Sequence, residues 1–257
     1  MIDSHVHLDA KQYPDPSACI KRARDAGVTA MVVPGVGPDS NREVIDLARQ
    51  HPGIVYPALG FHPERLELTD LDADAVADMI ARERSSICAI GEVGLPFYGD
   101  RVDDATVDAQ SETRLTRFAR LAAELDLAMI LHAPHQRAAE ALAIIRDAQV
   151  RRAVFHWHKS DEQTTRAILD AGYFISLTPE VAYRERDQEL ARMLPSNRML
   201  VETDGPWPYG GQFAGRPTEP AFIKETVAAI AHLRCTTIED IATSTTANAR
   251  AMFGISA

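Results

Sequence analysis

Histidine and acidic residues recur in this 257-residue chain in patterns that suit metal binding. His5 and His7 lie two residues apart in MIDSHVHLDA, so both rings project from one face of an extended strand, about 6 to 7 Å apart. One cation can bind both, because imidazole is the commonest neutral metal ligand in proteins. An isolated His-x-His pair is weak evidence, and a partly buried strand without a metal is its alternative interpretation.

Two carboxylates extend this candidate site. Glu92 lies in AIGEVGL between Gly91 and Gly94, which leave room for the backbone or a ligand to approach closely. A buried carboxylate at this position requires a cation, and its two oxygens can bind two metals. Asp204, in VETDGP, can bind a metal and accept a proton from bound water. The alternative is that Asp204 only caps the Asp-Gly turn that follows it.

The histidines concentrate after short apolar runs that have the composition of strands. Seven of the nine follow this pattern, whereas random placement would put about one there. They are His5, His7, His62, His132, His135, His156 and His158. His132 and His156 end neighbouring predicted strands and can share a second ion, although a lone histidine is more often a hydrogen-bonded core residue. His62 and His158 are candidate substrate-binding residues, and an exposed loop position is the alternative for His158.

Apolar runs followed by helical periodicity repeat along the whole chain. The runs predict strands at residues 2–6, 29–33, 54–59, 87–90, 128–131, 153–155, 173–177 and 199–202, and helices at 17–26, 41–50, 73–82, 109–125, 137–148 and 162–171. Eight such repeats without a linker predict an α/β protein, a single TIM-type (β/α)8 barrel domain over residues 1–257. A doubly wound open sheet is the alternative, but the first turn, SHVHLDA, lacks a glycine-rich phosphate-binding motif. Residues 206–217 are predicted to form a substrate-facing loop, with a passive surface loop as the alternative.

Composition excludes several classes of protein. The chain is 46% hydrophobic and carries a net charge of −10, and its longest basic run is KRAR at 21–24, so no extended DNA-binding surface is expected. No apolar segment reaches the length of a membrane span, and the first residues lack the features of a secretory signal. The three cysteines lie far apart without a CxxC pair. We therefore expect a cytoplasmic protein with no membrane partner. A monomer is the oligomeric state we retain, although the sequence does not reveal it.

These motifs resemble those of the TatD family of metal-dependent hydrolases, often described as deoxyribonucleases, within the amidohydrolase-like barrels. The matching segments run from end to end and are IDSHVHLD, GFHPE, AIGEVGL, LH at 131–132, VFH at 154–156, VETDGP, RPTEP at 216–220 and TTANARAMFG. The resemblance implies two divalent cations per chain. His5, His7, Glu92 and Asp204 would hold one, and Glu92, His132 and His156 the other. Nitrogen and oxygen ligands suit zinc, manganese or iron, and zinc, manganese and magnesium are the candidates we retain.

The chain departs from the family pattern at three points. Pro96 stands where the family usually has an aspartate. Ala133 and Pro134 follow His132, where the family usually has a hydroxyl residue and then an arginine suited to contact phosphate. The segment after His156 reads WHKS, and Lys159 is a candidate replacement cation, although an exposed position is the favoured expectation for it.

Three functions follow from these observations. The leading hypothesis is hydrolysis of phosphodiester bonds, as by a TatD-like deoxyribonuclease, through a metal-activated water, with Glu92 and Asp204 as catalytic residues. The alternative is a small-molecule amide, ester or lactone hydrolase of the amidohydrolase type, which the acidic composition and the missing arginine favour. A non-enzymatic binding scaffold is the third. The expected substrate is thus a small molecule or a nucleic-acid end.

Overall fold

Eight parallel strands form one sheet in chain order, and helices connect them. The computed structural model describes residues 1–9, 11–98 and 105–256. The strands are β1 (Ile2–Asp3), β2 (Ala30–Pro34), β3 (Val55–Leu59), β4 (Ala89–Gly94), β5 (Ala128–His132), β6 (Ala153–Phe155), β7 (Phe174–Leu177) and β8 (Met199–Val201). The backbone N–H and the hydroxyl of Ser4 both donate to the Val201 carbonyl at 3.0 Å, which brings the ends of β1 and β8 together. The predicted TIM-type (β/α)8 barrel is confirmed.

The first seven α-helices lie between successive strands, and the last two follow the eighth strand. They are α1 (Pro16–Asp25), α2 (Pro38–Gln50), α3 (Asp70–Glu83), α4 (Ala105–Leu125), α5 (Arg137–Asp147), α6 (Glu162–Asp170), α7 (Glu185–Met193), α8 (Ile223–Leu233) and α9 (Ile238–Phe253). The first six overlap the six predicted from periodicity. Thr69 and Thr237 each start a helix with a capping box, in which the threonine side chain and an aspartate three residues later satisfy the first free backbone N–H groups.

The barrel has a separate apolar interior. Four neighbouring strands, β2 to β5, contribute an alanine each, and larger residues from other positions fill the remaining space. The buried set is Ile2, Ala30, Val32, Ala58, Ala89, Ala128, Ile130, Val154, Phe174 and Leu200. Met252 and Phe253 of α9 belong to the same cluster, and Asn248 donates to the Met199 carbonyl at the start of β8. Helix α9 therefore covers the amino-terminal ends of the strands and leaves their carboxyl ends open for a site.

Two strand boundaries differ from the prediction, and both bear on the site. Strand β1 ends at Asp3, earlier than predicted, although the Val6 N–H still donates to the Val32 carbonyl at 3.2 Å. Strand β4 extends to Gly94, beyond the predicted end, and its pairing with β5 shifts register between Ile90 and Val93. Such irregularities redirect side chains, and this one contains Glu92.

In the described part of the chain, no helix combines the length and the apolar character that crossing a membrane requires.

Candidate metal centre

The first cluster of candidate ligands consists of His5, His7, Asp204 and one oxygen of Glu92, Oε2. The Nε2 atoms of His5 and His7 lie 3.1 Å apart. Glu92 Oε2 lies 3.2 and 3.3 Å from them, and Asp204 Oδ1 lies 3.5 and 3.7 Å from them. A tetrahedral zinc site with bonds of about 2.1 Å has its ligand atoms about 3.4 Å apart. Five separations in the first cluster therefore match the edges of such a site.

The second cluster surrounds the other oxygen of the same carboxylate. His132 Nδ1 and His156 Nε2 both lie 2.8 Å from Glu92 Oε1, and they are 3.4 Å from each other. Glu92 is thus the one side chain that the two clusters share, with one oxygen in each. The separate pairing of its two oxygens is what a carboxylate that bridges two cations requires.

Neighbouring acceptors fix the orientation of three of the rings. His7 Nδ1 lies 3.2 Å from the Pro34 carbonyl, His132 Nε2 lies 3.3 Å from Glu64 Oε1, and His156 Nδ1 lies 3.4 Å from Glu202 Oε1. An acceptor at one ring nitrogen keeps the proton there and leaves the lone pair of the other nitrogen toward the cluster. The rings are therefore oriented as metal-binding histidines are.

His62 has the opposite arrangement. Its Nδ1 accepts a hydrogen bond from the Glu64 backbone N–H at 3.2 Å, so the neutral ring carries its proton on Nε2. That Nε2 lies 3.2 Å from Glu92 Oε1, and the ring also lines the cavity above the clusters. In this tautomer His62 donates a hydrogen bond to Glu92, and its position is compatible with the predicted contact with substrate.

The buried site holds strongly coupled charges. Burial alone would raise the pKa of Glu92, but the surrounding His62, His156 and His5 rings hold it well below its ordinary value. Burial would lower the pKa of His7, yet the Glu92 carboxylate raises it to about 9. Burial lowers the pKa of His5 to about 4. The Glu92 carboxylate therefore stays ionised and draws positive charge to the centre, which is the role that bound cations would fill.

The residues fit a pair of divalent cations. Glu92 is 1% exposed, and its Oε2 has no hydrogen-bonding partner among the described residues. A buried, ionised oxygen without a hydrogen bond is costly unless a cation compensates it. The donors are imidazole nitrogens and carboxylate oxygens, a set that suits zinc or manganese.

The chain is similar to known proteins along most or all of its length. Residues 2–254 match the family described as TatD related DNase. This chain belongs to the TatD family. A Haemophilus influenzae protein named as an uncharacterized metal-dependent hydrolase is 33% identical over 212 residues, which cover 82% of this chain and 83% of that protein. The 3'-5' ssDNA/RNA exonuclease TatD of Erwinia tasmaniensis is 31% identical over 267 residues, 99% of this chain and 100% of that protein.

A solved structure agrees over the full length. The crystal structure of YjjV, a TatD homologue from Escherichia coli, matches with a TM-score of 0.90 and 26% identity, and the match covers 100% of this chain and 98% of that one. Membership of the family makes this chain a metal-dependent hydrolase.

A cavity of about 910 Å³ opens above the two clusters at the carboxyl ends of the strands. His7, Glu92, His132, His156 and Asp204 lie among its lining residues. Pro206, Trp207 and Pro208 line it as well, so the start of the predicted substrate-facing loop does face the site. Lys159 is also in the wall and partly buried, and the expectation of an exposed surface lysine was wrong.

His158 lies away from this cavity, and the structure does not support the predicted substrate contact. It is 2% exposed, and its Nε2 lies 2.8 Å from the Thr165 hydroxyl at the start of α6. Alternate residues share a face only in a regular strand, and the chain leaves that geometry at Trp157, whose φ is 39°. His156 therefore points into the barrel while His158 is directed to the helical layer.

Two acidic residues of the site were not singled out from the sequence. Glu64 accepts hydrogen bonds from the backbone N–H groups of Phe97 and Tyr98 at 2.7 and 3.0 Å and orients His132. Glu202 is 1% exposed, accepts from the Trp157 N–H at 2.7 Å and faces His156. Both lie inside segments that the resemblance contained, GFHPE and VETDGP. Their position next to buried histidines was the missing information.

Gly60 permits the close approach on which the position of Glu92 depends. A Cβ atom at Gly60 would lie 2.2 Å from the Glu92 backbone nitrogen and 2.4 Å from its carbonyl oxygen. Buried Asn41 holds Gly60 in place with hydrogen bonds to both its N–H and its carbonyl, each 3.0 Å long. Glycine is therefore required by contact between neighbouring backbones.

Proposed function

We propose that this chain is a two-metal phosphodiesterase that removes nucleotides from the ends of single-stranded nucleic acid. The observation that carries the proposal is the division of Glu92 between the two clusters, with Oε2 beside His5 and His7 and Oε1 beside His132 and His156. Paired metal sites of this kind are common in phosphatases and nucleases. The Erwinia tasmaniensis relative that is named an exonuclease supports the choice of substrate.

The residues divide the chemical work. When bound, two divalent cations would lower the pKa of a water molecule and stabilise negative charge on the attacked group. Glu92, Asp204 and the four histidines of the two clusters would hold those cations. Asp204 is the proton acceptor, because its carboxylate is in the first cluster and faces the cavity. Burial raises the pKa of Asp204 to about 6, close to the range in which a general base works near neutral pH.

The shape of the site favours an end over an internal position of a polymer. The cavity, about 910 Å³, is of the size that holds a small ligand. The chain has a net charge of −10, so long-range attraction to a duplex is not expected. A strand end can enter the cavity, whereas a double helix cannot reach the buried clusters.

Metal content provides the first test. We expect about two divalent ions per chain in wild-type protein by elemental analysis, about one in His7→Ala, and fewer than one in Glu92→Gln because the shared ligand is lost. Lys224→Gln, an exposed change on α8, serves as the control and should keep both ions. Two ions retained by Glu92→Gln would contradict the bridging role.

Substrate preference provides the second test. We expect the metal-loaded enzyme to shorten a single-stranded oligonucleotide from one end, and the double variant His5→Ala, His7→Ala to lose activity and metal together. Full turnover by that double variant without metal would refute the mechanism.

A second candidate function is hydrolysis of small amides, esters or lactones. Ala133 and Pro134 favour it, because they occupy the positions after His132 where the family usually has a phosphate-contacting arginine. It uses the same metals. Rapid turnover of neutral esters or lactones with no release of nucleotides would support this function and reject the first.

A further inference from the structure

Lys159 combines features of a ligand-binding lysine. It lines the cavity together with His132, His156 and Asp204. Its Nζ lies 3.5 Å from the centre of the Trp157 ring and 3.4 Å from the Tyr98 hydroxyl. A cation on an aromatic face is held without being neutralised, since the ring carries no net charge. The ammonium group therefore has a defined position in the wall, where burial lowers the pKa of Lys159 and the aromatic face contributes no neutralising charge.

The other cation of the cavity wall is already paired. Among the described lining residues, Arg184 is the only further lysine or arginine, and its Nε lies 2.5 Å from Glu180 Oε1. Lys159, in contrast, has no carboxylate oxygen within 4 Å in the described ranges 1–9, 11–98 and 105–256. A half-buried lysine without a counter-ion beside a reaction centre is an unused anion-binding group.

Glu180 connects Trp157 and Arg184 in this wall. It is 5% exposed and also accepts from the indole Nε1–H of Trp157 at 3.0 Å. Trp207 contacts Trp157 edge to face, with ring centres 5.4 Å apart. The ring that supports Lys159 is thus fixed on one edge by a hydrogen bond and contacted by a second tryptophan.

We propose that Lys159, supported by Trp157, binds an anionic phosphate oxygen of the substrate beside the two clusters of candidate metal ligands. This inference rests on the proposed phosphodiesterase function and identifies the residue that selects phosphate esters over neutral ones. It also accounts for the absence of an arginine after His132, because the segment that follows a different strand, β6, supplies the cation. Lysine binds phosphate as a point charge, so loss of the charge matters more than change of shape.

Activity tests of two variants separate the effect of the Lys159 charge from the effect of its side-chain shape. A hydrogen bond to a charged group changes affinity roughly 10- to 100-fold. We expect Lys159→Gln to lower kcat/KM for a single-stranded oligonucleotide by that factor, mainly through KM, and Lys159→Arg to retain most of it. Hydrolysis of a neutral phenyl ester should change less than threefold in both variants. Lys224→Gln should match wild type on every substrate. Equal kcat/KM for the oligonucleotide in Lys159→Gln and wild type overturns the proposal.

Binding provides a readout that does not depend on turnover. The chain has two tryptophans, Trp157 and Trp207, and both line the cavity, so intrinsic fluorescence reports ligand binding there directly. A phosphorothioate thymidine tetranucleotide serves as the slowly cleaved probe. We expect about a tenfold weaker Kd in Lys159→Gln and a salt-dependence slope smaller by about 0.7, the value for one phosphate contact on a single strand. The same Kd and slope in both proteins, or no binding by wild type, overturns the inference.

The activity and binding tests also distinguish this inference from the proposed phosphodiesterase function on which it rests. Binding that depends on Lys159 without any hydrolysis of phosphodiesters would reject the proposed phosphodiesterase and keep the anion site. Phosphodiester hydrolysis that is indifferent to Lys159 would keep the phosphodiesterase and reject the anion site.

Discussion

The burial of His158 outside the site can be tested quantitatively, because it makes the stability of the protein depend on pH. The Thr165 hydroxyl donates its proton to the Asp161 carbonyl at 2.7 Å, so it accepts from His158 Nε2–H at 2.8 Å. The buried Nδ1 has no hydrogen-bonding partner among the described residues. A second ring proton would therefore be placed in an apolar environment, and burial lowers the pKa of His158 to about 4 from its ordinary 6.5.

The shift makes stability depend on pH in one direction. Between pH 6.5 and 4 the unfolded chain binds a proton at His158 that the folded chain does not bind, so the stabilisation is present above pH 6.5 and is lost as the pH falls toward 4. At pH 5 the difference from neutral pH amounts to about 2 kcal/mol for this one residue. His158→Gln removes the titrating group and should remove about that much of the acid-induced loss.

Chemical denaturation of metal-free protein at pH 7 and pH 5 measures this effect. The quantity to compare is the difference between the two free energies of unfolding, so a constant packing change caused by the substitution cancels. His232→Gln, an exposed histidine on α8, is the matched control and should keep the wild-type difference. Because His158 lies outside the cavity, His158→Gln should also keep the KM for substrate within about twofold. If the free energy of unfolding of His158→Gln falls between pH 7 and pH 5 by as much as that of wild type, or if its KM rises strongly, this account is refuted.

Two further predictions concern residues that support the centre. Glu202→Gln should weaken metal binding about 10- to 100-fold, because an uncharged amide is a weaker acceptor for His156 Nδ1–H than the carboxylate; a chelator-competition titration measures this, and an unchanged affinity would contradict it. Gly60→Ala should destabilise the protein by several kcal/mol or prevent folding, since its methyl group would overlap the Glu92 backbone; denaturation decides, and stability within about 1 kcal/mol of wild type would show that the backbone can relax.

Much of the architecture could be predicted from local sequence. A parallel strand buried on both faces has to be a short apolar run, as AMVVP in β2 is, and the helices between such strands have to be amphipathic. Those two patterns gave eight strands in nearly the right places. The ends were less accurate, because the register shift in β4 and the early end of β1 arise from contacts between strands.

The ligand types and their order along the chain were determined by the sequence alone. His5, His7, Glu92, His132 and Asp204 each follow or end an apolar run, and strands of a parallel barrel have their carboxyl ends on the same side. That rule brings the residues to one face without any knowledge of distances.

Only the tertiary structure decided which atoms meet. It gave each oxygen of Glu92 a different set of histidines, directed His156 inward and His158 outward, and placed Lys159 on Trp157 in the cavity wall. The physical reason is that side-chain direction at a strand end depends on backbone torsions and on neighbours distant in sequence. The sequence specifies which residues carry ligand atoms, whereas the packing of the barrel determines which of those atoms lie next to one another.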